Sequence, residues 1–188
     1  MQAAQDLFYR KGYLATSVDE ILTTAGISKS NLYYHFKSKE ELGLGVLENR
    51  TEDIRVMFIS TLSNTDILPR ERVLRYLNLL VDMQTHHLGK MGCPLGNLVA
   101  EMAEHSELFR CKLNKLFEDM NKTLADLIHE GQITGEFRKD ASAEEIAALI
   151  IQTVQGMHLL VKCTKCMDDF RKTAALLLLL ISDQPVRV

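Results

Sequence analysis

Apolar residues recur three and four positions apart along almost the whole chain, the period of helices that bury one face. Ala3, Ala4, Leu7 and Phe8 make the first stripe, and Gly12 closes it, because glycine takes a left-handed backbone without steric cost. Ser17-Val-Asp-Glu20 has the form of a capping box, in which the Ser17 hydroxyl accepts from the Glu20 N–H and the Glu20 carboxylate reaches back. It opens a second stripe of Val18, Ile21, Leu22 and Ala25, which stops at Gly26. Ser28 caps a third helix in which Leu32 and Phe36 face the same way. Two short helices joined by the tight Ala25-Gly26-Ile27-Ser28 connection form a helix-turn-helix.

A fourth helix is predicted from the Ser38-Lys-Glu-Glu41 box through Leu42, Val46, Leu47, Ile54 and Phe58 to about Leu62. Pro69 suits the first turn of a fifth, which passes Val73, Leu77, Leu80 and Val81 and ends near Leu88, with Gly89 and Gly92 interrupting. Pro94 opens a short sixth, to about Ala103. Ser106 caps a long seventh through Leu113, Leu116, Phe117, Met120, Leu124, Leu127 and Ile128, ended by Gly131 and Gly135. Ala141-Ser142-Ala143-Glu144-Glu145 starts an apolar eighth to about Val161, and a ninth runs from about Met167 to Ile181. No segment alternates with period two and no repeat of about 20–50 residues occurs, so the fold class is all-α, with about nine helices.

Charge changes this picture by segment. The 188 residues carry a net charge of −3 and a pI near 6.1, which argues against a surface coated in positive charge. Yet residues 1–39 hold five basic residues (Arg10, Lys11, Lys29, Lys37, Lys39) against three acidic ones, leaving seventeen against twenty-two in the remainder. The longest unbroken apolar run, Ala174 to Ile181, has eight residues against the roughly 20 that span a bilayer. No basic-then-apolar leader opens the chain, so a cytoplasmic location without membrane contact is expected. Cys93, Cys111, Cys163 and Cys166 are too few for the disulfide framework of a small secreted domain and read as free thiols.

The most informative stretch is residues 26–39, which has three lysines and no acid. With Leu32 and Phe36 turned inward, Lys29, Ser30, Asn31, Tyr33, Tyr34 and His35 spread over the remaining surface of a very short helix. Two adjacent tyrosines make sense on such a face if they reach phosphates and base edges, the ring giving apolar contact and the hydroxyl a hydrogen bond. The first residues of the second helix of such a motif enter the DNA major groove, and Lys29, Ser30 and Asn31 lie there.

The run Ala3-Ala4-x-x-Leu7-Phe8-x-x-x-Gly12-Tyr13-x-x-Thr16-Ser17, with Ile21, Ala25-Gly26-Ile27-Ser28-Lys29 and Leu32-Tyr33-Tyr34-His35-Phe36-x-Ser38-Lys39, resembles the DNA-binding domain of the TetR family. These are ligand-responsive transcriptional regulators, usually repressors. The resemblance covers residues 3–47 and implies a DNA-binding domain over 1–45 and a ligand-binding and dimerisation domain over 46–188. It implies that Lys29, Ser30 and Asn31 touch bases or nearby phosphates, that Tyr33, Tyr34 and His35 contact the backbone and flanking bases, and that Lys39 and Ser17 bind phosphates. Family members usually carry about one more helical turn and a basic arm ahead of this stripe, whereas this chain begins almost on it. Gly92-Cys93-Pro94-Leu95-Gly96-Asn97-Leu98 resembles one branch of the family.

A single head of this kind reads too few base pairs for useful specificity, so a homodimer on two half-sites of double-stranded operator DNA is expected. Helices 143–161 and 167–181 offer the surface: Leu176-Leu-Leu-Leu-Leu-Ile181 is apolar all round, and one protomer cannot easily enclose it. Met83, His87, Cys93, Asn97, Phe117, Met120 and His158 are the candidate contacts for a mostly apolar small-molecule effector. Cys93 stands just before a helix start, where the dipole favours a reactive thiolate, so a thiol sensor of oxidants or electrophiles is the alternative; a small packing residue is the plainer reading.

Other motifs add little. Cys163-Thr-Lys-Cys166 lacks a second ligand pair and reads as two thiols at a helix corner. His86-His87 reads as one exposed and one packed residue, and Glu101 with His105 has no third ligand. No cofactor, no metal and no enzyme signature is implied.

Overall fold

The computed structural model describes residues 1–87 and 90–183, His87 by its backbone alone; the break expected at Gly89 lies outside the described residues. Among the described residues the chain forms α1 (Gln2–Lys11), α2 (Val18–Ala25), α3 (Lys29–His35), α4 (Lys39–Leu62) and α5 (Pro69–Asp82). A π-helical turn, Met83–His87, continues α5, and α6 (Pro94–Met102), α7 (Glu107–Thr134), α8 (Ala143–Thr164) and α9 (Met167–Ile181) follow. There is no strand among these residues, only one bridged pair, Phe137 with Ser182.

Serines set where several of these helices begin. The hydroxyl of Ser17 accepts from the Glu20 N–H at 3.1 Å, that of Ser28 from Asn31 at 3.2 Å and that of Ser142 from Glu145 at 3.2 Å, each satisfying one orphan donor of a first turn. At Ser142 the box is complete, with the Glu145 carboxylate accepting the Ser142 N–H at 2.8 Å. At Ser17 it is not: the Glu20 carboxylate pairs with Lys11 and so staples α2 to α1. Near Ser38 the Glu41 carboxylate takes the N–H of Lys37 instead. Gly26, with φ of 66°, ends α2 by turning its N–H back to Leu22 and Thr23.

The chain forms two compact units. The first comprises Met1–Ile54 with Pro94–Asn114, the second Arg55–Cys93 with the chain from Lys115 onward; the ranges of α4 and α7 include parts of both. In the first, Ala4, Phe8, Ile21, Leu32, Leu42, Val46 and Leu47 are buried with Leu95, Leu98, Phe109 and Leu113. Tyr13 stacks at a tilt between Phe8 (5.0 Å) and Phe109 (5.4 Å). In the second, α8 packs on α9 and buries Ile146, Ile150, Val154, Met157 and Val161. By length and composition alone α8 is long and apolar enough to cross a membrane, and 39% of its apolar stretch is buried inside the chain.

Helix α7 runs through Gly131 to Thr134 and stops at Gly135 (φ 80°), the second of the two glycines expected to close it; a side chain at Gly131 would collide with the Phe137 ring. The stripe of α2 is corrected. Ala25 is exposed, so the buried stripe of α2 narrows to Ile21 with partial cover of Val18 and Leu22. As expected, one protomer does not enclose the five leucines of α9: Leu177 and Leu178 are buried, while Leu176, Leu179 and Leu180 stand out from the single chain.

Candidate nucleic-acid interface

Helix α3 has only two turns, and its burial rests on one residue, Leu32. Lys29, Ser30, Asn31, Tyr33, Tyr34 and His35 are all exposed, joined by Lys37. Tyr34 is 85% exposed and Tyr33 42%, so neither tyrosine packs back into the core. The Tyr34 ring meets His35 edge-on at 5.0 Å, and the Ser28 and Ser30 hydroxyls are 3.0 Å apart. The result is a convex polar face carrying aromatic rings, amide and hydroxyl groups and cations, on a helix short enough to enter a major groove.

Ser17 and Lys39 flank this face. Ser17 is exposed at the start of α2. The Lys39 ammonium stands 4.4 Å from the centroid of the Tyr13 ring and 3.5 Å from the Leu14 carbonyl oxygen. Partial burial pulls its pKa below the usual lysine value, and the neighbouring Glu101 carboxylate partly offsets this.

The expected effector residues fall in both units. Asn97 is half-buried on α6 in the first. In the second, Met83 and Phe117 are half-buried, Met120 and His158 buried, and the His87 side chain lies outside the described residues. Cys93 is half-buried, and burial first, then the nearby Cys93 side chain, raises the pKa of the Tyr76 hydroxyl, so thiol and phenol are neighbours.

His158 is already engaged. Gln84 donates to its Nδ1 at 3.1 Å and to the Gly92 carbonyl at 2.9 Å, while the Gly92 N–H donates to Gln84 Oε1 at 3.2 Å. The ring lies against Phe170 at 5.3 Å, and burial lowers its pKa to about 4, so it is neutral at pH 7. Gln84 escaped sequence reasoning because it is polar: it continues the buried stripe of Leu77, Leu80 and Val81, three and four positions on, and is itself fully buried. Asn121, one helical turn beyond Phe117, also went unnoticed; its Oδ1 is buried without a hydrogen-bond partner.

A groove of about 310 Å³ lies between α8 and α9, with Gly156, Met157, Leu160, Val161 and Phe170 among its lining. Leu149, Leu159, Leu160, Leu176, Leu179 and Leu180 are exposed on the same two helices.

A capped helix-turn-helix with an exposed basic and aromatic second helix defines a DNA-binding protein. The family model "Bacterial regulatory proteins, tetR family" matches residues 1–45, and "Tetracyclin repressor-like, C-terminal domain" matches residues 69–177. The chain is 30% identical over 162 residues to the HTH-type transcriptional repressor DhaR of Mycobacterium sp. (strain GP1), covering 86% of this chain and 80% of DhaR. It is 32% identical over 165 residues to an uncharacterized HTH-type transcriptional regulator of Lactococcus lactis subsp. lactis, covering 88% and 82%. In fold it matches the reduced form of E. coli NemR with a TM-score of 0.89, at 21% identity over 98% of this chain and 96% of that one. The chain belongs to the TetR family of helix-turn-helix transcriptional regulators, a family of regulators rather than enzymes. Its members bind operator DNA and small-molecule effectors, typically as dimers.

Proposed function

We propose that this chain is a repressor that holds a two-fold symmetric operator as a homodimer and lets go when a small, mostly apolar effector binds. The observation that carries the reading is the α3 face: six exposed polar and aromatic residues, with no acid between Gly26 and Lys39. Lys29, Ser30 and Asn31 read base edges or adjacent phosphates, Tyr33, Tyr34 and His35 contact the backbone and flanking bases, and Lys39 and Ser17 bind phosphates. Residues 1–45 are the reading head, and residues 46–188 hold the effector and the dimer contact.

The second copy covers the exposed leucines of α8 and α9 and the groove between them, completing a four-helix bundle. In it the two heads reach successive major grooves about 34 Å apart. Release is a population shift: the effector binds better when that separation is wrong, and a coupling of about 1–3 kcal/mol changes operator affinity some 5–150-fold. The unpaired Asn121 Oδ1 supports an effector that brings an N–H or O–H donor to an otherwise apolar lining. Selection of bound fragments from random duplex DNA tests the reading; a two-fold symmetric motif supports it, and enrichment of no motif overturns it.

A second reading has one observation in its favour, the half-buried Cys93 thiol beside Tyr76 at the entry to α6. Here modification of the thiol, rather than a reversible ligand, releases DNA. A thiol-specific alkylating agent separates the two: release that persists in Cys93→Ser excludes the thiol reading.

A further inference from the structure

The connection between α1 and α2 is held from α6. Glu101 Oε2 accepts the Leu14 N–H at 3.1 Å, joining positions 87 apart in the chain. Gly12 makes room for this: a Cβ there would stand 2.6 Å from Oε1 and 2.8 Å from Oε2 of Glu101, and the φ of +95° disfavours any other residue. Thr16 closes the same turn, its hydroxyl donating to the Gly12 carbonyl at 2.7 Å. Lys39 then rests on the clamped segment, its ammonium over the Tyr13 ring and its Nζ 3.5 Å from the Leu14 carbonyl. Tyr13 itself cannot shift freely, since Phe8 and Phe109 pack against its ring.

We propose that Glu101 is a positioning residue for DNA binding, its carboxylate fixing the Gly12–Leu14 turn and through it the Lys39 ammonium that meets a phosphate. Glu101 touches no DNA; it acts through the turn. The same contact makes α6, the helix entered at Cys93, the element whose displacement disturbs a phosphate contact. A carboxylate near DNA otherwise repels the duplex, so charge alone and positioning predict opposite signs.

The inference rests on the DNA-binding reading and is tested with a duplex that the unaltered protein enriches from a random library, titrated at several salt concentrations between about 50 and 200 mM. Glu101→Ala is expected to weaken binding about tenfold and to flatten the slope of log K against log salt by about 0.9 per protomer, the value of one phosphate contact. Glu101→Gln, which keeps an oxygen for the Leu14 N–H, recovers most of that affinity. In a Lys39→Ala background, Glu101→Ala has no further effect. Should Glu101→Ala fail to fold, Glu101→Met gives the same comparison with similar volume and no acceptor. Equal or tighter binding by the acceptor-free variants with an unchanged slope, or additive losses in the double variant, overturns the inference alone. If the unaltered protein enriches no duplex, the reading beneath it fails as well.

Discussion

Gln84 donates to Nδ1 of His158 at 3.1 Å, which leaves the ring's proton on Nε2 and ties α8 to the π-helical turn after α5. Burial lowers the imidazole pKa to about 4, below the value of 6.5 it has when unfolded. Between these pH values the unfolded chain binds more protons than the folded one, so stability rises with pH through that window and falls on acidification. The contribution is of order 3 kcal/mol at most between pH 7 and pH 4. Urea unfolding across that range is expected to show a steeper acid loss for the natural chain than for His158→Gln, and parallel curves would contradict this.

Arg72 is a buried cation of the second unit, 3% exposed, and it works as a junction. It donates to the Leu62 carbonyl at 3.1 Å and the Ile67 carbonyl at 3.0 Å and pairs with Glu130. Arg72→Ala leaves the Leu62 and Ile67 carbonyls without their donor and empties a buried site, with an expected loss of about 2–5 kcal/mol in urea unfolding. Glu130 is half in solvent, so Glu130→Gln is expected to cost only about 1 kcal/mol. Equal effects at the two positions would show that the ion pair, not the carbonyl junction, matters.

Gly43 lies inside α4, where alanine would ordinarily gain about 1 kcal/mol of helix propensity. A Cβ at that position would stand 2.5 Å from Tyr13 and 2.9 Å from Phe109, so the clash prevails. Gly43→Ala is expected to destabilise the protein by about 1–3 kcal/mol and to lower its melting temperature; a raised one would show that the rings move aside.

Much of this molecule follows local rules and was legible in its sequence. The serine caps at Ser17, Ser28 and Ser142 and the limits of α9 depend on neighbours within a turn, and they appear where the pattern puts them. What escaped depends on distant partners. Glu101 finds Leu14, and Arg72 finds Glu130, only once the chain is folded. Gly131 resembles a stop signal but serves as a seat for Phe137, and Gln84 continues the buried stripe of α5 as a polar residue whose partners, His158 and Gly92, only the folded chain supplies. Within the DNA face, the exposure of Tyr33 and Tyr34 was readable because Leu32 claims the inner side of so short a helix; Phe36, expected beside it in the same helix, instead follows α3 in an extended conformation and is half-buried.

Leu160 is 63% exposed on α8 and lines the groove beside α9. Leu160→Glu places a charge where the proposed second copy would bury it, and it faces solvent in a single chain. Sedimentation is expected to give the mass of a dimer for the natural chain and a monomer for the variant, with little change in monomer stability. A natural chain that sediments as a monomer at micromolar concentration removes the two-fold operator from the account.

The central claim is that the outer face of α3 reads duplex DNA. The direct measurement is equilibrium binding of a selected duplex and a scrambled one of equal length, at several salt concentrations, for the natural chain and for Lys29→Ala/Tyr34→Ala. Both side chains are exposed, so the double variant is expected to melt within about 0.5 kcal/mol of the natural chain. The natural chain is expected to prefer the selected duplex by about 10³-fold or more and the variant to lose most of that preference. Equal binding of both duplexes by the natural chain at every salt concentration, or full preference kept by the variant, would contradict the claim.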